Sequence, residues 1–120
     1  MYTVKANVAK NRLYVSMIGF FQADEMKACT DQVILETKKL KPGYDVITDV
    51  SQFKPAGPDA IKEIERGQAH FKATKIGHGI RVVGGSATTS LQFARTGKSV
   101  GYVPDTVSTV VEAEKILDNA

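Results

Sequence analysis

Segments that alternate apolar and polar residues give way repeatedly to segments whose apolar residues recur at helical spacing, and glycine or proline stands at most of the changes. This limits the fold sharply, because a period of two lays side chains on both faces of a strand while a period of 3.6 gathers them into one helical stripe. Tyr2 to Val8 and Leu13 to Ile18 read as two strands around Lys10-Asn11, where Asn tolerates the positive φ of a tight turn. Met26, Cys29, Val33 and Leu40 then trace a helical stripe. Asp24 and Glu25 suit its start, Lys38, Lys39 and Lys41 its end, and Pro42-Gly43 its stop. Tyr44 to Val50 predicts a strand, and Ser51 to Pro58 a loop whose last proline fits the first turn of a helix. Ile61, Ile64, Gln68 and Phe71 mark that second helix, which ends before Gly77.

Ile80 to Val83 predicts a short strand, Gly84-Gly85 a turn, and Ser86 the cap of a third helix running to about Arg95 and closed by Gly97. Val100 to Val103 predicts the last strand, and Thr109 with Glu112 the capping box of a final helix through Leu117. The order β-β-α-β-α-β-α-β-α describes an α/β domain with a mixed five-stranded sheet. Its N-terminal hairpin is antiparallel, the remaining strands are parallel, and right-handed crossovers put the helices mainly on one face. At 120 residues the chain is expected to be a single domain over residues 1–120, large enough to bury a core without staples. Its one cysteine, Cys29, lies in the first helical stripe and reads as a small core residue.

Charge narrows the partners. Residues 51–100 carry eight Lys/Arg against three Asp/Glu, and residues 101–120 carry one lysine against four acids. The basic residues are dispersed, Lys62 and Arg66 being interleaved with Glu63 and Glu65, and no aromatic residues alternate with them. That is the pattern of a solvated helix face and argues against nucleic acid as partner. No apolar run reaches a membrane span and no basic-then-apolar leader opens the chain, so a cytoplasmic location without membrane attachment is expected.

The order of elements, together with Leu13-Tyr14-Val15-Ser16-Met17-Ile18-Gly19 before a long helix and Val46-Ile47-Thr48-Asp49-Val50-Ser51 as a strand with Asp near its end, resembles the STAS superfamily. This is the fold of bacterial anti-sigma-factor antagonists and of sulfate-transporter cytosolic domains. The segment Val107 to Leu117, with Thr109, Glu112 and Ala113, is similar to the family's terminal helix. The resemblance implies a bacterial regulatory module that works by binding proteins. Regulatory members carry a phosphorylatable serine at the start of the helix after the central strand. Here Phe53-Lys54-Pro55-Ala56-Gly57-Pro58 offers no hydroxyl, and Ser51 lies before the loop's first proline, so that switch is not expected to operate.

Several residues could serve a ligand. Gly84, Gly85 and Ser86 follow a strand and open a helix, where free backbone N–H groups and a hydroxyl can hold a small anion, although an ordinary capped turn has the same composition. Asp49 at the carboxyl end of the central strand, with Ser51, would lie beside that turn, where open α/β sheets bind ligands. His78 between Gly77 and Gly79 is a second candidate, with a plain turn as its alternative; His70 reads as a polar helix-end residue. No residue is assigned a catalytic or metal-binding role, and no cofactor is expected.

Alternation also points to an interface. Leu13, Val15 and Met17 oppose Tyr14, Ser16 and Ile18, and Ile80 and Val82 oppose Arg81 and Val83. This reading places Tyr14, Ile18, Arg81 and Val83 on the sheet face away from the crossover helices, too apolar to be wholly exposed and too polar for a core. A protein partner or a second copy would cover it, unless the N-terminal segment or the last helix folds across. The leading expectation is therefore a non-enzymatic module for protein–protein interaction or self-association. The alternative is a small-molecule or anion carrier, or an enzyme, using the rim at the strand ends.

Overall fold

The opening hairpin forms where alternation predicts it. β1 (Tyr2–Asn7) pairs antiparallel with β2 (Arg12–Gly19), Tyr2 opposite Met17 and Asn7 opposite Arg12, and Asn11 supplies a positive φ of 52°. The structure, a computed structural model, describes Met1–Ala120. It continues with α1 (Ala23–Thr37), β3 (Asp45–Phe53), α2 (Pro58–Ala73), β4 (Gly79–Val82), α3 (Ala87–Val100), β5 (Asp105–Val107) and α4 (Val110–Asp118).

The strands add in chain order, β1-β2-β3-β4-β5, and all neighbours from β2 onward are parallel. Right-handed crossovers between successive parallel neighbours stay on one side of a sheet. Accordingly α1, α2 and α3 pack on one face, where Leu13, Val15, Met17, Val46 and Val50 meet Met26, Cys29, Val33, Ile64, Phe71 and Phe93 in the main core. A smaller core of Ile47, Ile80, Val82, Ala113 and Leu117 lies on the other face, under α4. The mixed five-stranded sheet with helices mainly on one face is the architecture expected from the sequence.

The last strand is not where the sequence placed it. Gly97 does not close α3. The helix runs to Val100, and Gly101 (φ 78°) ends it, with Tyr102 N–H donating to Gly97 O (2.8 Å) and Gly101 N–H to Lys98 O (3.3 Å). These two bonds form a Schellman motif, which satisfies carbonyls that the helix leaves open. Tyr102 is thereby turned inward against Phe71, ring centroids 5.6 Å apart, and the strand that pairs with β4 is Asp105–Val107.

The far face of the sheet is largely occupied by the protein itself. Ala113 and Leu117 supply the apolar contact, and Thr109 caps α4 by accepting from Glu112 N–H (3.1 Å). At its edge the buried Arg12 guanidinium donates to Glu114 (2.5 Å) and Asp118 (3.0 Å), and the Tyr14 hydroxyl donates to Glu114 (2.6 Å). Burial alone would lower the Arg12 pKa, but the hydrogen bonds with Glu114, Tyr14 and Asp118 outweigh it and hold the guanidinium charged. The four residues expected at one interface are thus divided. Tyr14 lies under α4, and Ile18 is exposed on the same face. Arg81 and Val83 lie on the opposite, helix-covered side, because Ile80 and Val82 are the residues that meet α4.

Glu114 accepts from both Arg12 and Tyr14, so its removal leaves the Tyr14 hydroxyl without its partner and Arg12 with Asp118 as its one remaining carboxylate under α4. Glu114→Ala is expected to destabilise the fold by about 2–3 kcal/mol, read as a lowered urea midpoint with faster amide exchange in α4. A midpoint unchanged by the substitution would mean that the apolar contacts of Ala113 and Leu117 hold α4 without the ionic cluster.

Candidate functional site

The rim at the carboxyl ends of the strands does assemble, but its polar groups are committed to one another. Asp49 Oδ1 accepts from the backbone N–H of Ser51 (3.0 Å) and from its hydroxyl (2.6 Å). Gly84 lies so close to the Ser51 backbone that a Cβ at 84 would collide with the Ser51 carbonyl. Ser86 caps α3 by accepting from Thr89 N–H (3.2 Å) and shares a hydroxyl contact with Thr89, whose own hydroxyl donates to Phe53 O (3.0 Å). Only Gly85 of this turn stands in open space. The hydroxyls expected to meet an anion are therefore spent on closing the β3–α3 junction.

His78 does not join this group. Its N–H donates to Asp45 Oδ1 (2.9 Å) at the start of β3. Four residues of strand, ~13 Å at 3.3 Å per residue, separate that point from Asp49. Gly77 packs against Gly43 O and the Asp45 carboxylate, which makes the segment a tight loop braced by Asp45. His70 is more enclosed, its Nε2 lying 2.8 Å from the Thr37 hydroxyl. That hydroxyl also donates to Ile34 O (2.8 Å), which suits an Nε2–H tautomer on His70.

The feature without an internal explanation lies inside the main core. A cavity of about 50 Å³ sits between the sheet and α1–α3. Its floor is a row across three parallel strands, Val15 beside Thr48 beside Arg81. Met26, Cys29 and Val33 of α1 close the side over β2, and Gln68 of α2, Phe93 of α3 and Tyr102 gather at the β4 side. Burial, seconded by the charge of Glu25, pushes the Cys29 thiol up to about 12, so Cys29 stands as a neutral wall residue, as its place in the helical stripe suggested.

Arg81 is 4% exposed and has neither an ion-pair partner nor a hydrogen bond from the protein. Its guanidinium carbon lies 5.2 Å from the centroid of the Phe93 ring. A desolvated cation–π contact contributes about 2 kcal/mol, whereas the effective cost of burying an ion is several kcal/mol. The ring offsets only part of that cost. Burial lowers the Arg81 pKa, the Tyr102 phenol being the one titratable neighbour that acts on it, and burial raises Tyr102 to about 12. A guanidinium remains protonated even so. Close by, Gln68 donates through Nε2 to Phe93 O (3.3 Å), while its buried Oε1 has no partner.

Strand alternation in the sequence places Arg81 with the interface residues on the far face, whereas the structure turns it into the cavity of the main core. A signal was nonetheless present. Strands buried on both faces are near-continuously apolar, and Gly79-Ile80-Arg81-Val82 interrupts such a strand with one full charge. No protein-family model matches the chain, and no curated protein matches it closely enough to count as a relative.

His70 generates a pH dependence of its own. Burial first, then the charges of Arg66 and Lys38, lower its pKa. The folded state therefore binds its proton less readily than the unfolded chain does, and stability is lost as pH falls from about 6.5 through the lower folded value. The depressed carboxylates Asp31, Glu36, Glu114 and Asp118 act only further down, as pH falls below their ordinary values. Wild type is expected to lose urea resistance between pH 7.5 and 5.5, and His70→Gln to flatten that loss. Equal slopes in the two proteins would count against His70 as the source.

Proposed function

We propose that this protein is a non-enzymatic binding module of STAS-like fold that houses a small anionic molecule between its sheet and α1–α3. The observation that carries this reading is Arg81, a permanently charged side chain held in the main core beside a cavity, with no counter-charge from the chain. Of the two functional expectations drawn from the sequence, an interaction face and an anion carrier, the side-chain geometry supports the second, at another place. The interaction face is largely taken by α4, and the rim hydroxyls are bonded internally. An anion in the cavity would supply what Arg81 lacks, in surroundings where charge-assisted hydrogen bonds are strongest.

The test compares wild type with Arg81→Met, which keeps the stem volume and removes the charge. Without added anion the variant should be as stable as wild type or more stable by about 1–4 kcal/mol, as when buried ions give way to apolar residues. Acetate and formate, titrated at constant ionic strength, should raise the melting temperature of wild type by mass action and leave that of the variant unmoved. Equal responses in the two proteins, or none in either, would remove the proposal.

A further inference from the structure

The cavity floor runs from Val15 on β2 through Thr48 on β3 to Arg81 on β4, apolar at β2 and charged at β4, and this asymmetry narrows the ligand beyond its charge. We infer that the occupant is a short-chain aliphatic monocarboxylate, its carboxylate on Arg81 and its tail running over β2 toward α1. The inference rests on the binding reading above and adds to it a headgroup, a charge and a length.

Headgroup and charge follow from the polar end. Arg81 contributes a planar fork of N–H donors, which matches a carboxylate through two parallel bonds. Thr48 stands beside Arg81 in the strand register and contributes a hydroxyl at the same level. No lysine or second arginine lines the cavity. One cation neutralises one negative charge, so a dianion such as sulfate would leave an unpaired charge in the core, at the cost that burial of such a charge carries.

Length follows from the other end. Val15, Met17, Met26, Val33 and Ile64 present hydrocarbon and thioether surface, with the neutral Cys29 thiol among them. Thr30 of α1 also lines the cavity, but its hydroxyl donates to Glu63 O (3.0 Å), so this wall holds no free donor for a second anionic group, and a methylene placed against the apolar residues leaves water. The cavity volume, about 50 Å³, exceeds the ~30 Å³ that one water occupies in the liquid and is about a third of the ~150 Å³ of a cavity that takes benzene. Butyrate has as many heavy atoms as benzene, so a chain beyond acetate enters only as the wall repacks, and a long acyl chain does not fit. The two methionines are flexible enough to yield to a few carbons.

The experiment measures binding to the full chain by chemical shifts of the Arg81 guanidinium and of the Met17 and Met26 methyl groups. Probes are formate, acetate, propionate, butyrate, octanoate, nitrate, sulfate, butyramide and butanol. Each methylene added from acetate to butyrate should tighten Kd about fourfold, the worth of a buried methylene group. Octanoate should gain nothing further, and sulfate, butyramide and butanol should bind at least tenfold more weakly than butyrate. Arg81→Met should abolish butyrate binding, and Val33→Phe, which fills the apolar end, should weaken butyrate while sparing formate. If nitrate or formate matches butyrate, the length and headgroup assignment falls while anion binding at Arg81 stands. If butanol matches butyrate and Arg81→Met changes neither, both readings fall. If no probe moves the Arg81 signal, both fall as well.

Discussion

Strands that add in chain order through right-handed crossovers have no freedom over where their helices go. In this sheet, β2, β3, β4 and β5 are parallel and consecutive, so α1, α2 and α3 all belong to one face. Everything else depends on that commitment. It creates one deep core, and it leaves a second face that a single non-crossover element must cover. α4, free of any return strand, takes that place with two small-to-medium apolar residues, Ala113 and Leu117, set four apart. Such a short helix has little apolar area, and the ionic cluster of Arg12, Tyr14, Glu114 and Asp118 extends its hold to β2.

The two buried arginines of the sheet show opposite solutions to one physical problem. Arg12 sits at the start of β2, and its charge is answered by two carboxylates from a helix more than a hundred residues away in sequence. Arg81 sits in β4 and has an aromatic ring and a cavity instead of a carboxylate. A salt bridge is a weak source of stability, but an unanswered buried charge is a strong source of instability. Structural need therefore accounts for Arg12 and not for Arg81. A charge kept in a core without structural benefit is the kind of local inconsistency that marks a site of function.

The contrast with the rim is instructive. Asp49, Ser51, Gly84 and Ser86 have the composition of a ligand site, and they stand at the strand ends where such sites occur in open α/β sheets. Their hydrogen bonds nevertheless run to each other and to Thr89, and Gly84 serves close packing against Ser51. The residues satisfied by their neighbours explain the junction between β3 and α3. The buried side-chain atoms left without a partner are Arg12 Nε, under α4, and Gln68 Oε1, in the main core. Arg81, which has no counter-charge from the chain, lines the same cavity as Gln68, and its charge is what an anion would answer.

Periodicity and punctuation in the sequence determined the class of fold, the hairpin at Asn11, the apolar stripe of α2 and that of α1 as far as Val33, the caps at Ser86 and Thr109, and the core role of Cys29. These are local properties, set by the spacing of side chains and the few residues that tolerate a turn or cap. Helix α1 ends at Thr37, short of the expected Leu40 and Pro42-Gly43. The end of α3 was less legible, because Gly97 and Gly101 are both plausible stops and only the Schellman bonds to Gly97 and Lys98 select the second. The site was least legible of all. A four-residue parallel strand is buried on both faces, so the alternation of Ile80, Arg81, Val82 and Val83 reads the same whichever way it is turned. Only the tertiary structure decided, by setting Ile47 beside Ile80 under α4 and Thr48 beside Arg81 beneath the other helices. Register between strands distant in sequence is a property of the packed sheet, and it delivered the charge to the core.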